Sequence, residues 1–257
     1  MITPTAITNY QRNSVELLEF AIFAACVAGK DSDQTAKKVD TLWRDKGFRT
    51  TLRVQWEFPP ETDTQYALYV KLIRQHLVDH KIGQYDRLAR VIFILNQTSE
   101  QLNQVLFNDL VNFKGIGPKT AAFFMLHSRR DADMPVIDTH ICKYMADKGI
   151  EMKVTSSLTK YLANAETVKF WMKHDFPNMT LAEADLYLWT KYSGRETKQR
   201  VFYMADSPQC NSGLSVGARM EMIQAAAMSL ATFQAGLNGI TAQDMLDVFG
   251  DPNKREV

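Results

Sequence analysis

Lys119 stands at the mouth of an apolar run, directly after a glycine-rich loop, in FKGIGPKTAAFF (residues 113–124). Nineteen residues on, Asp138 lies in PVIDTH, ahead of a helical pattern. An amine and a carboxylate at such a spacing could do chemistry on a sugar. A neutral amine can attack C1′ and form a Schiff base. A carboxylate can take up a proton or stabilise an oxocarbenium-like sugar, as paired carboxylates do in glycoside hydrolysis. Each residue also has a plainer reading. Lys119 is equally a lysine facing phosphate or solvent, and Asp138 is equally a helix N-cap. For Asp138 the two roles can coexist.

The elements around Lys119 favour a nucleic-acid partner. A helix, then KGIG, then a helix starting near Pro118 make a helix-hairpin-helix pattern. Gly115 and Gly117 permit backbone angles closed to other residues, so the turn is tight and its N–H groups can point outward. With the positive end of the next helix they form an anion site of phosphate size. Pro118 suits the first helical position, where its missing N–H costs nothing. The macrodipole of that helix disfavours the charged form of an amine held at its start. Leu110 to Arg130 holds Lys114, Lys119, Arg129 and Arg130 and no acidic residue. The candidate DNA contacts are therefore Lys114, Gly115, Ile116, Gly117, Thr120 and Arg129. A Gly-x-Gly turn with no ligand remains the bland alternative.

Most of the remaining chain reads as helix. Residues 14–28 are apolar on nearly every face, which suits a buried central helix. Residues 33–47 are amphipathic and end in Gly47, a candidate C-cap. FRTTLRVQWEF (48–58) has the β-branched content of a short strand. Residues 64–80 and 85–97 are helical by periodicity. Thr98 with Gln101, and Thr180 with Glu183, have capping-box spacing. Two helical candidates follow in the tail, SVGARMEMIQAAAMSLATF and TAQDMLDVF. The fold class is mostly α, in two packed helical lobes. The helix-hairpin-helix region covers 1–200, and 201–257 is a helical extension without an assigned role.

Bulk properties narrow the classes. With 46% hydrophobic and 23% charged residues the chain has an ordinary globular profile. A net charge of +1 means that DNA binding must come from a local patch. The three cysteines (Cys26, Cys142, Cys210) form no CxxC pair, which argues against a zinc site or a disulfide framework and for a reducing cytoplasm. The first residues lack the apolar core of a signal peptide, and FAIFAACVAG is far short of the roughly 20 residues that span a bilayer.

FKGIGPKTAAFF followed by PVIDTH resembles the active-site signature of the helix-hairpin-helix DNA glycosylases, the endonuclease III and 8-oxoguanine DNA glycosylase superfamily. Weaker likenesses follow in the right order: residues 16–43, IGQYDRLARVIFIL, and LYLWTKYSGRET with its Gly-Arg segment. The resemblance covers roughly residues 14–200. It implies a two-lobed helical fold with the active site in the cleft between the lobes. It matches Lys119 to the Schiff-base nucleophile, Asp138 to the catalytic aspartate, and Gly115 and Gly117 to the hairpin glycines. The implied partner is double-stranded DNA with a damaged or modified base, an oxidised purine in first place, acted on by a monomer without a membrane.

The chain departs from endonuclease III where a four-cysteine iron–sulfur cluster would follow the Gly-Arg segment. SGRETKQRVFYM has no cysteine, so no cluster and no other cofactor is expected. CVAGKD stands where a polar wedge residue would be, with Lys30 nearby, which could face the DNA but is read first as solvated beyond a helix end. Aromatics to stack an extruded base could come from Tyr85, Trp171, Tyr187, Trp189 or Tyr192. Two other functions fit the same residues. One is a phage-type enzyme that modifies DNA on this scaffold, such as an amino acid:DNA transferase acting on activated 5-hydroxymethyluracil, with lysine holding a pyrophosphate. The other is a non-catalytic helix-hairpin-helix DNA-binding protein.

Overall fold

The computed structural model describes residues 2–193, which belong to one compact unit. Both tail helix candidates, Cys210 and the Gly-Arg segment lie outside the described residues. The described chain is helical throughout, without a strand.

The first helix, α1 (Ser14–Cys26), begins with a capping box. Asn13 accepts from Glu16 N, and the Glu16 carboxylate accepts from Asn13 N, both at 3.0 Å. After that turn the helix is apolar all round, and Phe20, Ile22, Ala25 and Cys26 have no exposed surface. A helix of this kind has to be surrounded. Four others pack about it or each other: α2 (Ser32–Arg44), α3 (Lys46–Glu57), α4 (Asp63–Asp79) and α5 (Tyr85–Gln97). Truncating a core ring such as Phe20 to alanine would cost about 3–5 kcal/mol through the cavity left behind.

Three local expectations change. FRTTLRVQWEF is not a strand but most of α3, which buries Phe48, Leu52 and Gln55 at helical spacing. The β-branched Thr50, Thr51 and Val54 are outweighed by that apolar stripe, because burial decides where propensity is weak. Gly47 does not cap α2. Asp45 ends α2 and caps α3, accepting from Gly47 N at 2.8 Å. Thr98 closes α5 and leads into a short 3-10 turn, Ser99–Gln101, rather than capping a long helix. The helix that follows is only α6 (Phe107–Asn112), where Leu106 N donates to Asp109 at 3.1 Å.

α6 and α7 (Pro118–Ser128) are the two arms of the hairpin, and α7 lies against α1. A second helical group follows: α8 (Thr139–Asp147), α9 (Leu158–Asp175) and α10 (Leu181–Tyr192). The expected capping box of Thr180 and Glu183 opens α10, and Gly149 follows α8 at φ +77°. α10 packs on α8 and α9 and reaches back to α7. The candidate residues sit where these two groups meet.

Candidate active site

The hairpin turn is held from below by a residue that sequence reasoning missed. Arg87, on α5, donates through Nη1 to the Gly115 carbonyl at 2.6 Å and through Nη2 to the Ala25 carbonyl at 2.8 Å. One guanidinium thus ties the turn to the end of α1. Burial lowers its pKa from the ordinary arginine value, and nearby Cys26 opposes that shift.

The two hairpin glycines serve different ends. Gly115 has φ +102°, and a Cβ there would lie 2.8 Å from Val91 Cγ2. Gly117 has φ −93° and ψ 168°, an extended conformation that any residue adopts, with nothing within 4 Å of a built Cβ. The expectation that both glycines need forbidden angles is corrected for Gly117. What it offers is open space beside the backbone at the start of α7.

Pro118 takes the first position of α7, as expected, and Lys119 the second. Lys119 is half-buried, with Nζ 5.6 Å from the centre of the Phe123 ring one turn on. Asp138 caps α8: Oδ1 accepts from His140 N at 2.8 Å and Ile141 N at 3.0 Å. The segment leading to it is anchored by Tyr161 of α9, which donates to the Pro135 carbonyl at 2.9 Å and accepts from Ile137 N at 3.1 Å. Tyr161 has no exposed surface, and burial raises its pKa above the phenol range. Nothing in its local sequence marks that role.

Lys119 and Asp138 line the same cleft, of about 870 Å³, formed by the end of α1, the starts of α7 and α8 and the later turns of α10. Gly117 and Thr120 line it too, with Thr120 largely buried, whereas Lys114 is exposed and Ile116 is buried in the core. Arg129 is not part of this surface. It lies beyond the far end of α7, donates through Nη2 to the Leu102 carbonyl at 2.7 Å, and buries Nε without a partner. Its neighbour Arg130 is exposed and faces the Tyr10 ring, so the basic window divides between the two ends of one helix.

Lys30 is half-buried at the rim of the cleft rather than free in solvent: Nζ donates to the Ile82 carbonyl at 2.7 Å. Burial lowers its pKa, and Arg87 and Lys38 add to the effect. Of the five aromatic candidates, Trp189 lines the cleft, edge-on to His140 at 6.4 Å. Trp171 is buried beside Lys148 and His174, Tyr187 packs on Phe176, and Tyr192 bonds Asp147. Phe123, inside the opening motif yet read only as part of an apolar run, also lines the cleft, as does Phe23 of α1. Its position one turn after Lys119 was the available signal.

Cys26 is fully buried and its thiol is pushed up to about 12 by burial. Cys142 is half-buried. Among the described residues no group of three His, Cys, Asp or Glu could hold a metal ion, and no helix is long and apolar enough to cross a membrane.

No protein-family model matches the chain. Among solved structures it is similar to the Methanocaldococcus jannaschii 8-oxoguanine glycosylase/lyase crystallised with a 15mer DNA containing 8-oxoguanine. That match has a TM-score of 0.55 and 20% identity, over 72% of this chain and 84% of the other. A further structure, described as Methanocaldococcus jannaschii 8-oxoguanine DNA glycosylase, matches with a TM-score of 0.52 and 19% identity, over 74% and 84%. The chain has the helical fold of these helix-hairpin-helix DNA glycosylases.

Proposed function

We propose that the protein is a base-flipping DNA glycosylase with lyase activity, acting through a Schiff base on Lys119. The observation that carries this reading is the placement of Lys119 and Asp138. Separated by nineteen residues, each stands in the first turn or at the cap of its own helix, and both line one cleft.

An enzyme that acts on a base must first take it out of the stack, at a cost of a few kcal/mol. The open backbone at Gly117 and the exposed Lys114 can receive the DNA phosphates, which position the strand without reading it. The extruded base enters the cleft between Phe123 and Trp189. Lys119 attacks C1′, Asp138 takes up the amine proton and stabilises positive charge on the sugar, and the resulting Schiff base β-eliminates and nicks the strand. The substrate class in first place is an oxidised purine in duplex DNA, in keeping with the 8-oxoguanine DNA bound to one similar structure. The active unit is taken to be a cytoplasmic monomer working without an iron–sulfur cluster.

Borohydride trapping tests this. The protein and its Lys119→Gln variant are incubated with duplexes carrying 8-oxoguanine, thymine glycol, uracil, 5-hydroxymethyluracil or an abasic site. A covalent adduct with one damaged base, absent in the variant, is expected. No adduct on any duplex, despite measurable DNA binding, would sink the Schiff-base role.

One observation favours a second reading. The cleft is lined by two amines, Lys119 and Lys30. That suits a DNA-modifying transferase in which both cations hold a pyrophosphate on an extruded 5-substituted pyrimidine. DNA binding without trapping would point there. Full retention of function in Lys119→Gln would instead mark a DNA-binding module.

A further inference from the structure

Asp185 lies on α10 at the edge of the same cleft, and the motif analysis did not single it out. Its side chain is only 9% exposed, and among the described residues no lysine or arginine pairs with it. Its hydrogen-bonding partner among the described residues is His127, whose Nε2 lies 3.2 Å from Oδ2. His127 is itself completely buried, and its other nitrogen, Nδ1, lies 2.8 Å from the Thr8 hydroxyl. The segment carrying Thr8 is fixed in turn. Asn9 N donates to the His127 carbonyl at 3.1 Å, and Arg12 donates to the same carbonyl at 2.9 Å.

This chain of contacts constrains proton positions. With the acid proton on Oδ1, the contacts are satisfied by the tautomer in which His127 donates through Nε2 to Oδ2 and Nδ1 accepts from the Thr8 hydroxyl, and we assign that tautomer. Oδ2 is then occupied, and Oδ1 is the oxygen left for whatever enters the cleft. A buried carboxyl without a cationic partner keeps its proton more readily than an exposed one. Here burial raises its pKa from the ordinary value, nearby Asp138 adds to the rise, and His127 and Lys119 oppose it. The surrounding titratable groups are Lys119 and His127 on α7, Asp138 before α8 and Tyr161 on α9.

We propose that Asp185 is the acid that protonates the departing base, and that Thr8 and His127 are positioning residues that aim its carboxyl. This rests on the excision reading above and assigns that site its second proton carrier. The Lys119 lone pair forms the bond to C1′ as the C1′–N bond to the base breaks, and that bond's electron pair leaves with the base. The proton on Asp185 Oδ1 moves to the base, giving the neutral free base and a carboxylate held by His127 Nε2–H. The surplus proton of the Lys119 amine passes to Asp138. General acid assistance of this kind is worth about 10²–10⁴ in rate.

The test separates the two halves of the reaction. Single-turnover base release is measured on duplexes carrying 8-oxoguanine, thymine glycol, uracil or 5-hydroxymethyluracil, and strand nicking on a preformed abasic duplex. The wild type, Asp185→Asn, His127→Gln and His127→Phe are compared, with circular dichroism confirming that each is folded. Asp185→Asn should lower base release about 100-fold or more while abasic-site nicking falls less than about 10-fold. Wild-type base release should decline as pH rises through the Asp185 pKa, and the decline should vanish in Asp185→Asn. His127→Gln, which can still donate to Asp185, should keep that pH profile, and His127→Phe should lose it. Base release in Asp185→Asn as fast as in the wild type would overturn the acid role and leave the glycosylase reading standing. A wild type that releases no base from any duplex would overturn both.

Discussion

Arg87 reaches the carbonyl of Gly115 at 2.6 Å from a helix 28 residues earlier in the chain, and this contact holds the hairpin turn in place. Its other Nη nitrogen is bonded to Ala25, so the turn, α5 and α1 move as one body. Hydrogen bonds to a charged group contribute about 1.5–3 kcal/mol. Arg87→Met should therefore lower stability by about that amount in urea denaturation and weaken binding to duplex DNA. Arg87→Lys should rescue little, because an ammonium lacks the planar fork that spans both carbonyls.

The two glycines of the hairpin should respond oppositely to alanine. At Gly115 the left-handed φ and the 2.8 Å approach to Val91 combine, and a strained backbone costs on the order of 1–3 kcal/mol. At Gly117 the conformation is ordinary and the space is open, so alanine should leave stability unchanged or raise it by about 0.4–1 kcal/mol. Fluorescence anisotropy on duplex DNA should nevertheless show weaker binding for Gly117→Ala, since a methyl would stand where phosphate approaches. Equal DNA affinity for Gly117→Ala and the wild type would remove that backbone from the interface.

Asp138 both caps α8 and faces the cleft, and two variants divide these tasks. Asparagine is as good an N-cap as aspartate, whereas alanine costs about 1 kcal/mol. Asp138→Asn should thus melt with the wild type and Asp138→Ala should melt lower. Both should be severely impaired in base release and borohydride trapping. If Asp138→Asn keeps wild-type turnover, the residue is a cap and nothing more.

Asp185 should make stability depend on pH in a definite direction. Its folded-state pKa is raised, chiefly by burial, so its contribution is fully present below the unfolded aspartate pKa. That contribution is lost as pH rises through the folded value. Asp185→Asn cannot ionise, and it should gain in melting temperature over the wild type as pH is raised from below the unfolded aspartate pKa of about 3.9 to 8. A constant difference across that whole range would mean that the carboxyl titrates as an exposed one does.

Much of the site was legible because its signals are local. Pro118 at a helix start, Asp138 as a cap, and Thr180 with Glu183 as a capping box each act within a turn of themselves, so spacing alone exposes them. Lys119 and Asp138 were found together through a motif, and both line the cleft. Local signals also misled. Residues 48–58 carry β-branched side chains that argue for a strand, and only the burial of Phe48, Leu52 and Gln55 against other helices makes them α3.

The tertiary structure alone decided which charged groups serve the cleft and which serve the framework. Arg129 was read as a DNA contact, yet it lies off the cleft and is bonded to the Leu102 carbonyl, whereas Lys30, bonded to the Ile82 carbonyl, lines the cleft as well. Asp185 met no motif, and its partner His127 is 58 residues away. A buried polar group must find a partner wherever packing leaves one, and packing joins segments with no fixed spacing between them. Residue types and short spacings therefore determined the helices, the hairpin and the lysine–aspartate pair. The folding of distant helices onto one another determined how Arg87, His127 and Asp185 complete the cleft.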